Sequence, residues 1–168
     1  MSDDTAEIDD LVARARDAQA AYEAMGSQTL FDRACQAAAW ALMQPERNRA
    51  LADMAVAETG LGNADDKVRK NHNKTLGLMR DLKGVTSFGH IEDAASSGLS
   101  TYLRPKGVVA AIVPSTNPLA TPVNNMINAL KTGNAIILAP SPKGVKPLQT
   151  LLGHILPALR EVGVPDNL

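Results

Sequence analysis

The sequence predicts an α/β chain, a helical N-terminal lead-in followed by an incomplete Rossmann-like parallel β-α-β-α half. Three observations carry that expectation. Residues 6–82 hold apolar side chains at helical spacing, interrupted only by glycine, serine and proline breaks. Residues 107–142, GVVAAIVPSTNPLATPVNNMINALKTGNAIILAPSP, read as strand, sharp turn, helix and strand without interruption. Beyond them, Leu148, Leu151, Leu152, Ile155, Leu156 and Leu159 form one apolar stripe at helical spacing.

Residues 6–25 make the first helix, with Ile8, Leu11, Val12, Ala15, Ala18 and Tyr22 on its apolar face, until Gly26-Ser27 breaks it. The second presents Leu30, Phe31, Ala34, Cys35, Ala38 and Leu42. Pro45 opens a third, with Leu51, Met54 and Ala55 inside, and Thr59-Gly60-Leu61-Gly62 closes it. Asp65 or Asp66 caps a fourth helix with Val68, His72, Leu76, Met79 and Leu82 on its apolar face and Lys67, Lys70 and Lys74 on another side. Gly84 ends it. Residues 85–100 read as loop with room for one short strand, and Ser100 to Arg104 alternates like a strand before Pro105 interrupts the ladder.

Val108 to Val113 is a run of β-branched and small residues suited to a strand covered on both faces, and Pro114 stops it. Asn117-Pro118 has the form of an N-cap and first-turn proline; Leu119, Val123, Met126, Ile127 and Leu130 then carry a helix to Gly133. Asn134 to Leu138 is the second strand. Pro147 sits near the start of the last helix, which Gly163 and Pro165 terminate, and residues 164–168 lead toward a third strand that a complete mononucleotide half requires. The expected division is 1–99, helical, and 100–168, the first half of a cofactor-binding domain. Parallel units bind ligands where their strands end, so the Pro114 to Asn117 and Ala139 to Pro142 turns should face one crevice and a nucleotide-type ligand.

Composition narrows the partners. A 168-residue chain with 45% hydrophobic and 21% charged residues is an ordinary globular composition. The formal net charge of −1 offers no attraction to nucleic acid or an anionic membrane, so neither is an expected partner. Residues 1–60 carry 5 basic and 11 acidic side chains and residues 61–106 carry 8 and 5, read as solvated helix faces. A single cysteine, Cys35, excludes an intrachain disulfide and fits a reducing, cytoplasmic setting. No apolar run approaches the roughly 18 residues of a membrane span.

Two segments read together resemble the aldehyde dehydrogenase superfamily, specifically its coenzyme A-acylating branch. ETGLGNADDKVRKN at residues 58–71 is similar to that branch's ETG-x-G-x-x-x-D-K-x-x-K-N segment, and residues 107–138 are similar to its glycine-led strand and P-[ST]-T-N-P turn followed by L-K-T-x-N-A-I-I. The resemblance implies an oxidoreductase that takes an aldehyde to an acyl-CoA, with NAD or NADP as cofactor and coenzyme A as co-substrate. It also implies a homo-oligomer and a nucleophilic cysteine in a catalytic domain outside these residues. By the same resemblance Asn117 holds the oxyanion of a thiohemiacetal, and Val113, Pro114, Ser115 and Thr116 line the nicotinamide end of the cofactor cleft. Ala139, Pro140 and Ser141 stand at its adenosine end. Many non-acylating relatives have lysine at the position of Ala139, so that lysine–ribose contact is not available here.

Each residue also has a plainer reading. Asn117 could cap the helix that starts at Pro118 or donate its NH₂ to an oxyanion. Ser141-Pro142-Lys143 could meet a phosphate or simply connect two elements. Cys35, on an apolar helix face, is expected to be structural and not nucleophilic. His72, His90 and His154 lack metal-ligand spacing, so no metal is expected. Glu58, at a helix C-terminus, calls for a cationic partner such as Lys67, Lys70 or the chain start. Lys70-Asn71 is expected on a solvated face. The first helix runs almost directly into the second, which favours an integral helix over a microcompartment-targeting one. The functional alternative is a stand-alone nucleotide-binding or subunit-interaction module without catalysis.

Overall fold

A computed structural model of the chain describes residues 3–94, 96–165 and 167–168. Four helices come first: α1 (Asp3–Met25), α2 (Gln28–Met43), α3 (Pro45–Thr59) and α4 (Ala64–Asp81). A hairpin of β1 (Gly89–Ala94) and β2 (Leu99–Leu103) follows, then β3 (Val108–Val113), α5 (Ala120–Lys131), β4 (Ala135–Pro140), a 3-10 turn at Pro142–Gly144 and α6 (Val145–Val162). β3 and β4 pair in parallel, from Val108 opposite Ala135 to Val113 opposite Pro140. This is the expected helical lead-in and β-α-β-α half. In the 164–168 stretch Asp166 lies outside the described residues, and the others form no strand.

α2 is the hub because its buried face is both continuous and mostly small. Phe31, Ala34, Cys35, Ala38 and Leu42 are buried, and the alanines let α5 and α6 approach closely. Val123, Ile127 and Leu130 of α5 and Leu151, Ile155 and Leu159 of α6 complete the core. Each such aliphatic side chain contributes roughly 1.5–3 kcal/mol when fully removed from water. The C-terminal half of α1 belongs to the same core: Tyr22 is fully buried and donates to the Leu130 carbonyl at 3.1 Å, and Gln19 donates to the Gly133 carbonyl at 3.1 Å. Its N-terminal half does not, since Ile8 is 59% exposed and Leu11 only partly covered.

Several boundaries follow their local signals. Ser27 caps α2 through the Leu30 N–H, Pro45 opens α3 behind a Gln44 cap, and Gly60 and Gly163 close α3 and α6 in the left-handed conformation at φ 69° and 91°. Gly133 has its own reason to be glycine. At φ 72° it lies against Pro105 and Phe31, where a Cβ would come within 2.8 Å and 3.1 Å of their side chains. Asn134 next to it accepts from the Lys106 and Gly107 N–H groups at 2.6 and 2.8 Å and so ties the entry of β3 to the end of α5.

Other expectations fail for physical reasons. α4 is capped by Asn63, whose side chain accepts from the Asp66 N–H, and not by Asp65 or Asp66, which lie in its first turn. Its buried face is Lys67, Asn71 and Thr75, whereas His72 and Leu76 are exposed. Polar groups win this face because α3 offers partners: Asn71 donates to Asn48 at 2.9 Å, and Asn48 donates to the Val68 carbonyl at 3.1 Å. Residues 85–100, read as loop with room for one short strand, do hold one, β1, and it pairs with β2, the strand expected from Ser100; both are almost wholly exposed and shift register between His90 and Glu92. β3 is not covered on both faces, and Ile112 is 87% exposed. Glu58 pairs with Lys146, at 2.5 Å, and with neither Lys67 nor Lys70.

Candidate functional site

Parallel pairing brings the two expected turns to one edge. Val113 and Pro140 are the last partners of β3 and β4, and the Ser141 N–H donates to the Val113 carbonyl at 2.9 Å. The turn at Val113 to Asn117 and the turn at Ala139 to Ser141 therefore begin side by side, so the two segments read from the sequence leave the sheet at one edge. Val113 is buried and anchors the edge. Pro114, Thr116 and Ala139 are exposed, and Ser115, Asn117, Pro140 and Ser141 are half-buried.

Asn117 does not cap α5. Its N–H closes a turn on the Pro114 carbonyl at 3.3 Å, and α5 begins only at Ala120, after Leu119, without a side-chain cap. The start is displaced because Pro118 and Leu119 are pulled into the interior, Leu119 to 1% exposure; tertiary burial overrides the local Asn-Pro signal. Among the described residues the Asn117 side-chain amide has no hydrogen-bond partner, which leaves its NH₂ free to donate elsewhere. Ser141 precedes the 3-10 turn, and its Oγ is buried without a partner, next to Pro118 and Gly144.

The structure adds a residue that sequence reasoning set aside. Lys67, expected on a solvated side of α4, is 5% exposed, and its Nζ lies 3.5 Å from the Thr116 carbonyl. Burial lowers its pKa, and the neighbouring Lys70 lowers it further. Leu61, Gly62, Asn63, Lys67, Lys70 and Thr116 border a cleft of about 270 Å³, so the two motif segments, far apart in sequence, touch here. The signal available beforehand was the polar spacing Lys67, Asn71, Thr75, one helical face. A larger groove of about 340 Å³ between α1, β4 and α6 is lined by aliphatic side chains such as Leu138, Leu148 and Leu152 and offers little to hold a polar ligand.

The remaining reactive groups are elsewhere. Among the described residues no group of three His, Cys, Asp or Glu side chains could hold a metal ion, and no helix is long and apolar enough to cross a membrane. Cys35 is 2% exposed and donates to the Ile127 carbonyl at 3.3 Å; burial pushes its thiol up to about 12 against the pull of Lys131. Its thiolate is thus suppressed at neutral pH. Iodoacetamide at pH 8 should leave the folded chain unlabelled and react rapidly once urea unfolds it. Complete native labelling within minutes would contradict a buried structural thiol.

Comparison with known proteins gives the same ancestry over the whole chain. The pattern of the aldehyde dehydrogenase family matches residues 1–168. An acylating sulfoacetaldehyde dehydrogenase of Cupriavidus necator is 56% identical over 158 residues, which cover 94% of this chain and 32% of that enzyme. The chain thus spans about a third of the length of this and a related sulfoacetaldehyde dehydrogenase. Among solved structures, an acetylating aldehyde dehydrogenase from Geobacillus thermoglucosidasius superposes with a TM-score of 0.89 at 32% identity, covering 96% of this chain and 35% of that one. A propionaldehyde dehydrogenase from Rhodopseudomonas palustris, solved with bound CoA and an acylated cysteine, gives 0.78 at 28% identity, covering 95% and 35%. With the helical lead-in, the parallel strand pair and the P-S-T-N-P turn all matched along its length, the chain belongs to the aldehyde dehydrogenase family.

Proposed function

We propose that residues 1–168 are the front third of a coenzyme A-acylating, NAD(P)-dependent dehydrogenase whose substrate is sulfoacetaldehyde. The observation that carries the reading is the 56% identity over 94% of the chain to an acylating sulfoacetaldehyde dehydrogenase. In this reading residues 1–99 are scaffold and residues 100–168 the first half of the cofactor domain. The cysteine that attacks the aldehyde lies in the remaining two-thirds.

The strand-end edge fits a dinucleotide in its own chemistry. Pro114, Thr116 and Ala139 are exposed there, and Gly144 keeps the second turn compact beside Pro118 and Ser141. Val113, Pro114, Ser115 and Thr116 would flank the nicotinamide end, and Ala139, Pro140 and Ser141 the adenosine end. The bound nicotinamide supplies the hydride acceptor. Asn117 directs its NH₂ at the oxygen that becomes negative when the thiolate adds to the aldehyde, a stabilisation made only as charge develops. Coenzyme A then accepts the acyl group from the cysteine.

The test is turnover. The complete enzyme should reduce NAD or NADP with sulfoacetaldehyde only when coenzyme A is present, forming an acyl-CoA, with a kcat/KM for sulfoacetaldehyde above that for acetaldehyde. Residues 1–168 alone should give none, because their one thiol is the buried Cys35. Preference for acetaldehyde would overturn the substrate; nucleotide binding without turnover in the complete protein would favour a binding module.

A further inference from the structure

Lys67 occupies a place that stability alone does not explain. It is 95% removed from solvent by its 5% exposure, yet no carboxylate is paired with it among the described residues. The three acids of the motif are committed elsewhere: Asp65 to Arg49, Asp66 to Asn63 and Arg69, and Glu58 to Lys146. Lys70 faces the same cleft and adds repulsion. A buried ammonium without a counter-ion is costly, and a methionine of similar length would fill the space without that cost. Its one hydrogen-bond partner among the described residues is the Thr116 carbonyl, at 3.5 Å.

That carbonyl shares a peptide unit with the Asn117 N–H, which is itself held by the Pro114 carbonyl at 3.3 Å. The unit is planar, so holding its oxygen at one end and its N–H at the other fixes its plane and with it the N–Cα bond on which the Asn117 side chain is mounted. We propose that Lys67 is a positioning residue for Asn117: its buried ammonium grips the Thr116 carbonyl and sets the peptide plane from which the Asn117 amide is aimed. The 3.5 Å contact is long for a hydrogen bond, as such contacts often are before substrate binds and the site tightens. The role rests on the acylating dehydrogenase reading for its catalytic consequence, and on main-chain geometry alone for its structural one.

Two measurements separate these. In the complete enzyme, Lys67→Met should lower kcat about tenfold or more with the aldehyde KM changed less than about threefold, since small misplacement of a catalytic group is enough. Lys67→Arg, which keeps the charge and the donors, should recover most of the loss. Adding Lys67→Met to an Asn117→Ala enzyme should cost nothing further, because the residue acts through Asn117. Losses that multiply, or a Lys67→Met enzyme with normal kcat, would overturn the proposal. In the 168-residue chain, amide hydrogen exchange at Asn117 should quicken about tenfold in Lys67→Met and stay slow in Lys67→Arg, with the Ala135 N–H as the control for an intact fold. Unchanged exchange at Asn117 would also overturn it. A wild-type enzyme without coenzyme A-dependent aldehyde oxidation would instead remove the functional reading, and the exchange experiment would still decide whether Lys67 holds the turn.

Discussion

Asn117→Ala in the complete enzyme should lower kcat by about 10²–10³, the usual consequence of removing one oxyanion-hole donor, and should leave stability within about 0.5 kcal/mol of wild type. The second half of that expectation comes from the structure. A capping asparagine replaced by alanine costs about 1 kcal/mol, but α5 starts at Ala120 behind Leu119 and takes no bond from the Asn117 side chain. The substitution should thus separate cleanly into catalysis lost and stability kept. Asn117→Asp should be at least as damaging to kcat, because it removes the NH₂ and adds a negative charge beside a developing one. NAD affinity is the control, since a change that merely disorders Pro114 to Pro118 would weaken cofactor binding too. An alanine enzyme with kcat within about threefold of wild type would remove Asn117 from the catalytic machinery, whereas one that melts with a cap-sized loss would return it to the role its Asn-Pro sequence first suggests.

The contrast at Asn117 shows what the sequence could and could not convey. The strand-turn-helix-strand order was legible because β-branched runs, prolines and glycines act locally, and the two turns start at one edge because parallel pairing puts both strand ends there. The start of α5 was not legible. Asn-Pro is a strong local cap signal, but the burial of Leu119 and Pro118 against the rest of the chain outweighs a bond worth about 1 kcal/mol. The face of α4 was misread in part for a related reason: of the apolar set, Met79 and Leu82 do pack on the core, but His72 and Leu76 are exposed, and the buried face carries Lys67, Asn71 and Thr75, the first two with partners, Thr116 and Asn48, that are distant in sequence. Of the β1–β2 hairpin only β2 showed alternation; β1 gave little signal because neither of its faces is buried. Each failure involves a long-range partner or its absence, and one of them hid Lys67.

The largest effect on stability is expected at Phe31. Its ring is fully buried, 4.5 Å from the ring of Tyr22 on α1 and 5.2 Å from that of Phe88 in the segment leading to the hairpin. It also lies against Gly133, where α5 turns into β4. One side chain thus joins α1, α2, the hairpin approach and the parallel pair, in a chain with few aromatic residues to share that task. Phe31→Ala should cost about 3–5 kcal/mol, because the ring's transfer energy is lost and helices fixed by other contacts cannot close the cavity. Against a total of about 5–15 kcal/mol for an ordinary domain, that is a large fraction of the stability. Phe31→Leu should recover about half, since it keeps the apolar volume near α2 and loses mainly the ring contacts to Tyr22 and Phe88. Urea unfolding followed by circular dichroism gives both numbers, with an unchanged m-value as the check that the denatured state is the same. A loss below about 1.5 kcal/mol for the alanine would mean that α1 and the hairpin approach collapse onto α2 without the ring, and that the junction at Gly133 is held chiefly by Asn134 and the main chain.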